Sequence, residues 1–290
     1  MKIARFNGGR VGVVRGDEIV DVTELCGVNP GAWPPVGMNA LIANFDSLGS
    51  KLEAARSPAL KLASVRLDTP VPWPNKVIAY PANYQDHAAE MGATIRANSQ
   101  GWFLKPSSSV SGPNDPVELP ALPWRRIDHE AELGIIIGKV GRNIDKNNWR
   151  DYIFGYTCLL DMVVRGKEER VMRKGYDTFC PVGPWIVTAN EVWDPTNLDM
   201  KLWVNGEIRQ SCNTRDLIVD IPGMIEMAAA VSTIYPGDII ASGTPAGVGP
   251  VKGGDKVRIW IDRVAEMTVD VVQGTRGYTD ALREKPDMKS

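Results

Sequence analysis

Three carboxylates stand at the ends of apolar runs. Glu130 and Glu132 open a run that continues Leu133-Gly134-Ile135-Ile136-Ile137-Gly138, and Asp161 closes Tyr156-Thr157-Cys158-Leu159-Leu160. An Ile-rich run closed by Gly reads as a buried β-strand. Alternate residues of a strand share a face, so Glu130 and Glu132 project side by side. Adjacent carboxylates at the mouth of a core strand repel each other and must be offset by solvent, a proton or a cation. A lone Glu-x-Glu is ordinarily a strand end whose polar side faces water. A third carboxylate in a similar setting, with no His or Cys cluster beside it, suits a hard divalent cation such as Mg²⁺ or Mn²⁺.

Other residues are placed to assist. His87 and Glu90 lie at i and i+3 in a short stretch that Asn83 can cap as a helix running through Met91, with Gly92 as the stop. A carboxylate beside an imidazole orients it and raises its basicity, although a lone helical His is more often half-buried and structural. His129 alternates to the strand face opposite Glu130 and reads as structural. Lys174 ends the charged 165–174 stretch, and Lys167-Glu168-Glu169-Arg170 reads as a solvated helix face. Thr244 lies in the Gly-rich loop Ser242-Gly243-Thr244-Pro245-Ala246-Gly247-Val248-Gly249-Pro250, where it either ends a turn or binds an anion.

The elements that must hold these residues are many short strands with few helices. Residues 2–6, 11–14 and 19–22 read as a small meander with turns at Asn7-Gly8-Gly9 and Arg15-Gly16-Asp17. Leu41, Phe45, Leu48, Leu52 and Ala55 recur at helical spacing, which predicts one amphipathic helix over 38–56. Pro70-Val71-Pro72-Trp73-Pro74 suits a linker and divides the chain into a small N-terminal domain, 1–72, and a larger domain, 73–290. In the latter, strands are expected at 76–80, 102–106, 132–137, 153–160, 182–187, 198–207 and 238–241, with a late hairpin at 256–261 and 267–272. A buried helix covers 221–232, and the polar residues 93–101 suit a mobile loop. The architecture is α+β and mainly β.

Composition excludes several function classes. The net charge of −2 gives no support for nucleic-acid binding. The apolar runs are too short for a membrane span, and the N-terminus lacks the apolar core of a signal peptide. Cys26, Cys158, Cys180 and Cys212 are scattered and read as reduced thiols, consistent with a cytoplasmic protein. Two histidines exclude a zinc site built on several of them.

Taken together, the motifs resemble the fumarylacetoacetate hydrolase family over about residues 73–273. They are Asn83-Tyr84-x-x-His87-x-x-Glu90, Phe103-Leu104-Lys105-Pro106, Glu130-x-Glu132-Leu133-Gly134, Asp161, Lys174-x-x-Asp177-Thr178-Phe179-x-Pro181-x-Gly183-Pro184, Asn205-Gly206, Asn213-Thr214-x-Asp216 and Gly243-Thr244-Pro245-x-Gly247-Val248-Gly249. The resemblance implies a rolled, mainly β catalytic domain preceded by a small N-terminal α+β domain. It implies a homodimeric hydrolase dependent on Mg²⁺ or Mn²⁺, with Ca²⁺ a possible substitute, of a kind used in the catabolism of aromatic compounds. The metal ligands would be Glu130, Glu132 and Asp161. His87 with Glu90, on a lid, would activate water, and Lys174 would neutralise an oxyanion. Thr244, Gly243, Lys105 and Arg165 would bind the substrate, with the Thr244 loop holding its carboxylate. The reaction implied is cleavage of a C–C bond in a 2,4-dioxo acid (an acylpyruvate) to pyruvate and a carboxylic acid. The alternatives are an isomerase, tautomerase or decarboxylase of a 2-oxo dicarboxylate, of the oxaloacetate or 2-hydroxyhepta-2,4-diene-1,7-dioate type, and a non-catalytic binding protein. Many members continue from the third ligand to Ala-Arg-Asp. Here Arg165 matches, and Gly166 stands where the Asp would be. Arg125 and Arg126 either reach a distal substrate carboxylate or are solvated surface residues.

Overall fold

The computed structural model describes residues 1–56, 58–90 and 96–277. Most of the expected strands join one twelve-stranded mixed sheet. Its main path runs Ala59–Lys61, Glu18–Asp21, Arg10–Arg15, Lys2–Phe6, Cys180–Thr188, Ile153–Leu160, Ala131–Ile137, Ile239–Ala241, Val77–Ala79, Phe103–Lys105. Neighbours on this path are antiparallel except Ile239–Ala241 and Val77–Ala79, which run parallel. A five-stranded sheet (Glu207–Asn213, Asp199–Val204, Lys256–Ile261, Ala265–Gln273, Val117–Leu119) packs against it, and a three-stranded one (Val163–Val164, Ile127–His129, Gly249–Pro250) lies beside the site. The molecule is α+β and mainly β, built of open mixed sheets.

The strands 131–137 and 153–160 are buried along their whole length. That is why they read as continuous apolar runs: a strand covered on both faces has no polar side to alternate. Leu133, Ile135, Tyr156 and Cys158 face the larger core, which also takes in the helix Ile221–Val231. Ile136, Phe154 and Leu159 face the second, shared with the N-terminal strands and helices. Glu132 pairs with Leu159 in the antiparallel register. The pleat therefore brings it to the second face, at the end of the strands where Asp161 emerges.

The N-terminal meander forms as expected, and its first strand continues the large sheet: Lys2 pairs with Val187 and Ile3 with Ile186. Hydrogen bonding thus runs across the 72/73 position. The helix expected over 38–56 is instead two, Gly37–Ala43 and Phe45–Ala54. Asn44 breaks it, with its backbone at φ −105° and ψ 13° and its side chain donating to the Ala40 carbonyl at 2.8 Å, the kind of local competition that Asn offers a helix. The helix expected from Asn83 begins at Gln85 and reaches Glu90. Asn83 is no cap, because its side chain is used elsewhere. Part of the expected 93–101 loop is a helical turn, Ala97–Gln100, and Met91 to Ile95 lie outside the described residues. In the 167–170 run only Arg170 is helical, at the start of Arg170–Lys174.

Candidate active site

The three carboxylates meet. Glu130 lies between the strands Ile127–His129 and Ala131–Ile137, and its carbonyl accepts the Asp161 N–H at 2.9 Å. Glu130, Glu132 and Asp161 each place a carboxylate oxygen within 4.8 Å of the others, and all three are buried. So much negative charge cannot stay buried without compensation. Lys174 Nζ supplies part of it, donating to Glu130 Oε2 at 2.6 Å and to Asp161 Oδ2 at 2.5 Å. Lys105 Nζ donates to Asp161 Oδ1 at 2.6 Å, and the Gly243 N–H donates to Glu132 Oε2 at 2.8 Å.

The titration of the group follows from these contacts. Burial pushes the Glu132 carboxyl well above its usual range, helped by the nearby Asp161 and only partly opposed by Lys174. Burial acts on Asp161 the same way, but Lys105 and Lys174 outweigh it and hold that carboxyl low. Burial works against the Lys174 ammonium, and Asp161 and Glu130 more than restore it. Three converging carboxylates with no nitrogen or sulfur donor among them make a donor set that fits a hard divalent cation.

The two lysines differ in what they have left. Lys105, expected at the substrate, uses Nζ on Asp161, the Lys174 carbonyl at 2.6 Å and the Phe179 carbonyl at 3.3 Å. Three acceptors match its three protons, so the structure places it behind Asp161 with none to spare. Lys174 is held at the end of its short helix, and among the described residues it has two acceptors, which leaves it a third proton.

The His87 helix is tied to the loop whose Gly243 N–H reaches Glu132. His87 is buried, and its Nδ1 donates to Glu90 Oε2 at 3.4 Å. The Glu90 carboxylate also accepts the Gly247 N–H, at 3.2 Å to each oxygen. The helix is therefore in contact with the 242–250 loop. Asn83 anchors its root: Nδ2 donates to the Ser242 carbonyl at 2.8 Å and the Val219 carbonyl at 3.1 Å, while Oδ1 accepts the Val219 N–H at 2.8 Å. Gly243 has φ +93°, and a Cβ there would meet Asn83 Cβ at 2.6 Å, so both backbone conformation and space demand glycine. Thr244 is buried in the same loop.

The arginines are mostly tied to acids. Arg165 Nε donates to Asp128 Oδ2 at 2.6 Å and its Nη2 reaches Glu130 Oε1 at 3.4 Å, which places it against the carboxylate cluster. Arg126 donates to the other Asp128 oxygen at 2.6 Å. Arg125 forms a two-pronged pair with Glu168, 2.8 Å on each side, which pulls that carboxyl down to about 2. Glu168 is thus partly buried in an ion pair and not the solvated face its sequence suggests. His129 lies fully buried against Gln210. Asp128, Asn83 and Gln210 do more here than the sequence indicates: each is held by partners distant in the chain, Arg165 for Asp128, Val219 and Ser242 for Asn83, and Ala131 and Thr244 for Gln210.

Residues 76–272 match the family model for the fumarylacetoacetate (FAA) hydrolase C-terminal region. The chain is 44% identical over 285 residues to a maleylpyruvate hydrolase of Aquipseudomonas alcaligenes, covering 93% of this chain and 99% of that one. Among solved structures it resembles the maleylpyruvate hydrolase of Sphingobium sp. SYK-6 in complex with manganese(II) and pyruvate, at 59% identity and TM-score 0.88 over 95% of this chain and 100% of the other. It also resembles a 2-hydroxyhepta-2,4-diene-1,7-dioate isomerase of Mycobacterium marinum, at 31% identity and TM-score 0.74 over 94% and 98% of the two chains.

Proposed function

The chain belongs to the fumarylacetoacetate hydrolase family, and we propose that it is a divalent-metal-dependent hydrolase that cleaves the C–C bond of acylpyruvate-type substrates. The observation that carries this reading is the buried convergence of Glu130, Glu132 and Asp161, together with a His87–Glu90 pair whose Glu90 is bonded to the same 242–250 loop that reaches Glu132. The likeness to two maleylpyruvate hydrolases, one solved with manganese(II) and pyruvate, supports it and favours Mn²⁺ or Mg²⁺, with Ca²⁺ as a substitute.

Glu130, Glu132 and Asp161 would hold the cation, whose chemistry there is Lewis-acid polarisation of a 2-oxo group. Thr244 holds the substrate carboxylate, since the Gly243 and Gly247 amides of its loop are already given to Glu132 and Glu90, and Arg165 adds positive charge beside Glu130. Glu90 fixes the His87 ring through Nδ1, leaving Nε2 to take a proton from water aimed at the C4 carbonyl. The third proton of Lys174 meets the oxyanion formed there. The C3–C4 bond then breaks, C4 leaves as a carboxylic acid carrying the water oxygen, and C3 is protonated to give pyruvate.

Exposed Leu104, Val171 and Met172 near the site support a homodimer, and four free thiols suit the cytoplasm. The 1–72 segment serves as a small N-terminal domain carried by the catalytic part, 73–290. The test is hydrolysis of a 2,4-dioxo acid in ¹⁸O-labelled water with Mn²⁺. One labelled oxygen should enter the carboxylic acid released from C4. Turnover with no such label would transfer the reading to the isomerase or decarboxylase class, which uses the same cation and lid without an attacking water.

A further inference from the structure

We propose that Gln210 is a positioning residue that fixes the Thr244 hydroxyl as a hydrogen-bond donor toward the substrate carboxylate. The inference rests on the reading of Thr244 as a carboxylate anchor. Gln210 lies on the strand Glu207–Asn213 and is 1% exposed. Its Oε1 accepts the Ala131 N–H at 3.0 Å, and its Nε2 donates to the Pro245 carbonyl at 2.9 Å. A backbone amide can only donate and a carbonyl can only accept, so these two partners fix which end of the side-chain amide is which. The same Nε2 lies 2.8 Å from Thr244 Oγ1. An NH₂ group cannot accept, so the Thr244 oxygen must.

The Thr244 proton is therefore directed away from Gln210. Among the described residues no protein acceptor takes it. A buried hydroxyl with its oxygen occupied and its proton free presents the polarity that a carboxylate needs. His129 completes the clamp. Its Nδ1 lies 3.3 Å from Gln210 Oε1, and since that oxygen accepts, Nδ1 carries the proton.

Gln210 also sets a spacing. Ala131 sits between the ligands Glu130 and Glu132, while Pro245 follows Thr244. One side chain thus spans from the metal-ligand strand to the carboxylate loop. The loop is seated directly on the Gln210 strand, since at Gly247, with φ +92°, a Cβ would strike the Arg209 carbonyl. A substrate bound to the cation and to Thr244 at once requires those two points to be held at a fixed separation.

The experiment measures pyruvate binding by calorimetry at saturating Mn²⁺, with Mn²⁺ affinity and melting temperature recorded for each variant. Glu at 210 has the right shape but two acceptor ends, so it claims the Thr244 proton. Met has similar length and claims nothing. Thr244→Val should weaken pyruvate by about tenfold or more, the scale of a hydrogen bond to a charged group. Gln210→Glu should match it, Gln210→Met should lose less, and Thr244→Val combined with Gln210→Glu should be no worse than Thr244→Val alone. Wild-type pyruvate affinity in Gln210→Glu, or losses that add in the double variant, would overturn the inference. Should Gln210→Glu fail to fold, the Gln210→Met and Thr244→Val cycle makes the same decision through additivity. Wild-type affinity in Thr244→Val would instead overturn the reading of Thr244 beneath it.

Discussion

Asp128 and Arg165 form an ion pair at 2.6 Å in which the carboxylate is fully buried. Asp128 lies on the strand Ile127–His129, opposite Val163, and Arg165 directly follows the antiparallel partner strand Val163–Val164. Many family members carry an Asp directly after this arginine, whereas here Gly166 occupies that place. A Cβ on Gly166 would run into the Arg125 guanidinium and the Glu168 carboxylate. The space is taken by a different ion pair, and the acid that orients Arg165 comes from the strand before the metal ligands.

Removing that acid should show at the substrate. In Asp128→Ala, Arg165 loses its anchor, and KM for a 2,4-dioxo acid should rise about 10–100-fold, with kcat falling less, as expected for one partner of a charged hydrogen bond. Steady-state kinetics decide this. An unchanged KM in a folded variant would mean that Arg165 needs no positioning.

Metal dependence should be complete. Chelation should abolish activity, and Mn²⁺ or Mg²⁺ should restore it. Glu130→Ala, Glu132→Ala and Asp161→Ala should each remove tight Mn²⁺ binding in a calorimetric titration, because each takes one of three converging donors. Wild-type affinity in all three would end the assignment.

His87 separates catalysis from binding. His87→Ala should lose about 10²–10⁴ in kcat, the usual size of a general-base contribution, while Mn²⁺ affinity survives. Full activity in this variant would place the proton transfer elsewhere.

Acid should reveal the Arg125–Glu168 pair. Glu168 has a folded-state pKa lowered from 4.5 to about 2, chiefly by its hydrogen bonds to Arg125. A depressed carboxyl stabilises the fold above its unfolded pKa and loses that contribution as pH falls toward the folded value. The stability gap between wild type and Glu168→Gln should therefore be widest at pH 6 and shrink steadily toward pH 3 in urea titrations. A gap of equal size at both would contradict the pairing.

What the sequence disclosed follows physical range. The strands holding Glu132 and Asp161 were legible because burial on both faces makes them locally apolar. The carboxylates stood out because charge is rare in such company. The helix break at Asn44 is a weak local signal within an otherwise consistent period. Asn83 read as a cap because its nearest plausible partner was the following helix, yet its real partners are Val219 and Ser242. Asp128 and Gln210 had no readable signal, since their meaning lies in which distant strand they face. The pairing of Lys2–Phe6 with Cys180–Thr188 is a fact of the same kind.

That last pairing has a consequence for the chain as it is made. Lys2 stands opposite Val187, so the first strand leaves the ribosome long before the strand that completes it. At the usual pace of synthesis the wait is about 10–40 s. During it, Arg5 and Phe6 can pair with Asp68 and Leu67, while the Lys2 and Ile3 end of that strand edge offers unpaired amides to any passing strand. The central ligand strands emerge in the interval, and the Thr244 loop comes later still. Nascent protein should therefore acquire its metal-binding and substrate-binding halves in separate stages, and a translational pause before residue 188 would prolong its exposure to aggregation.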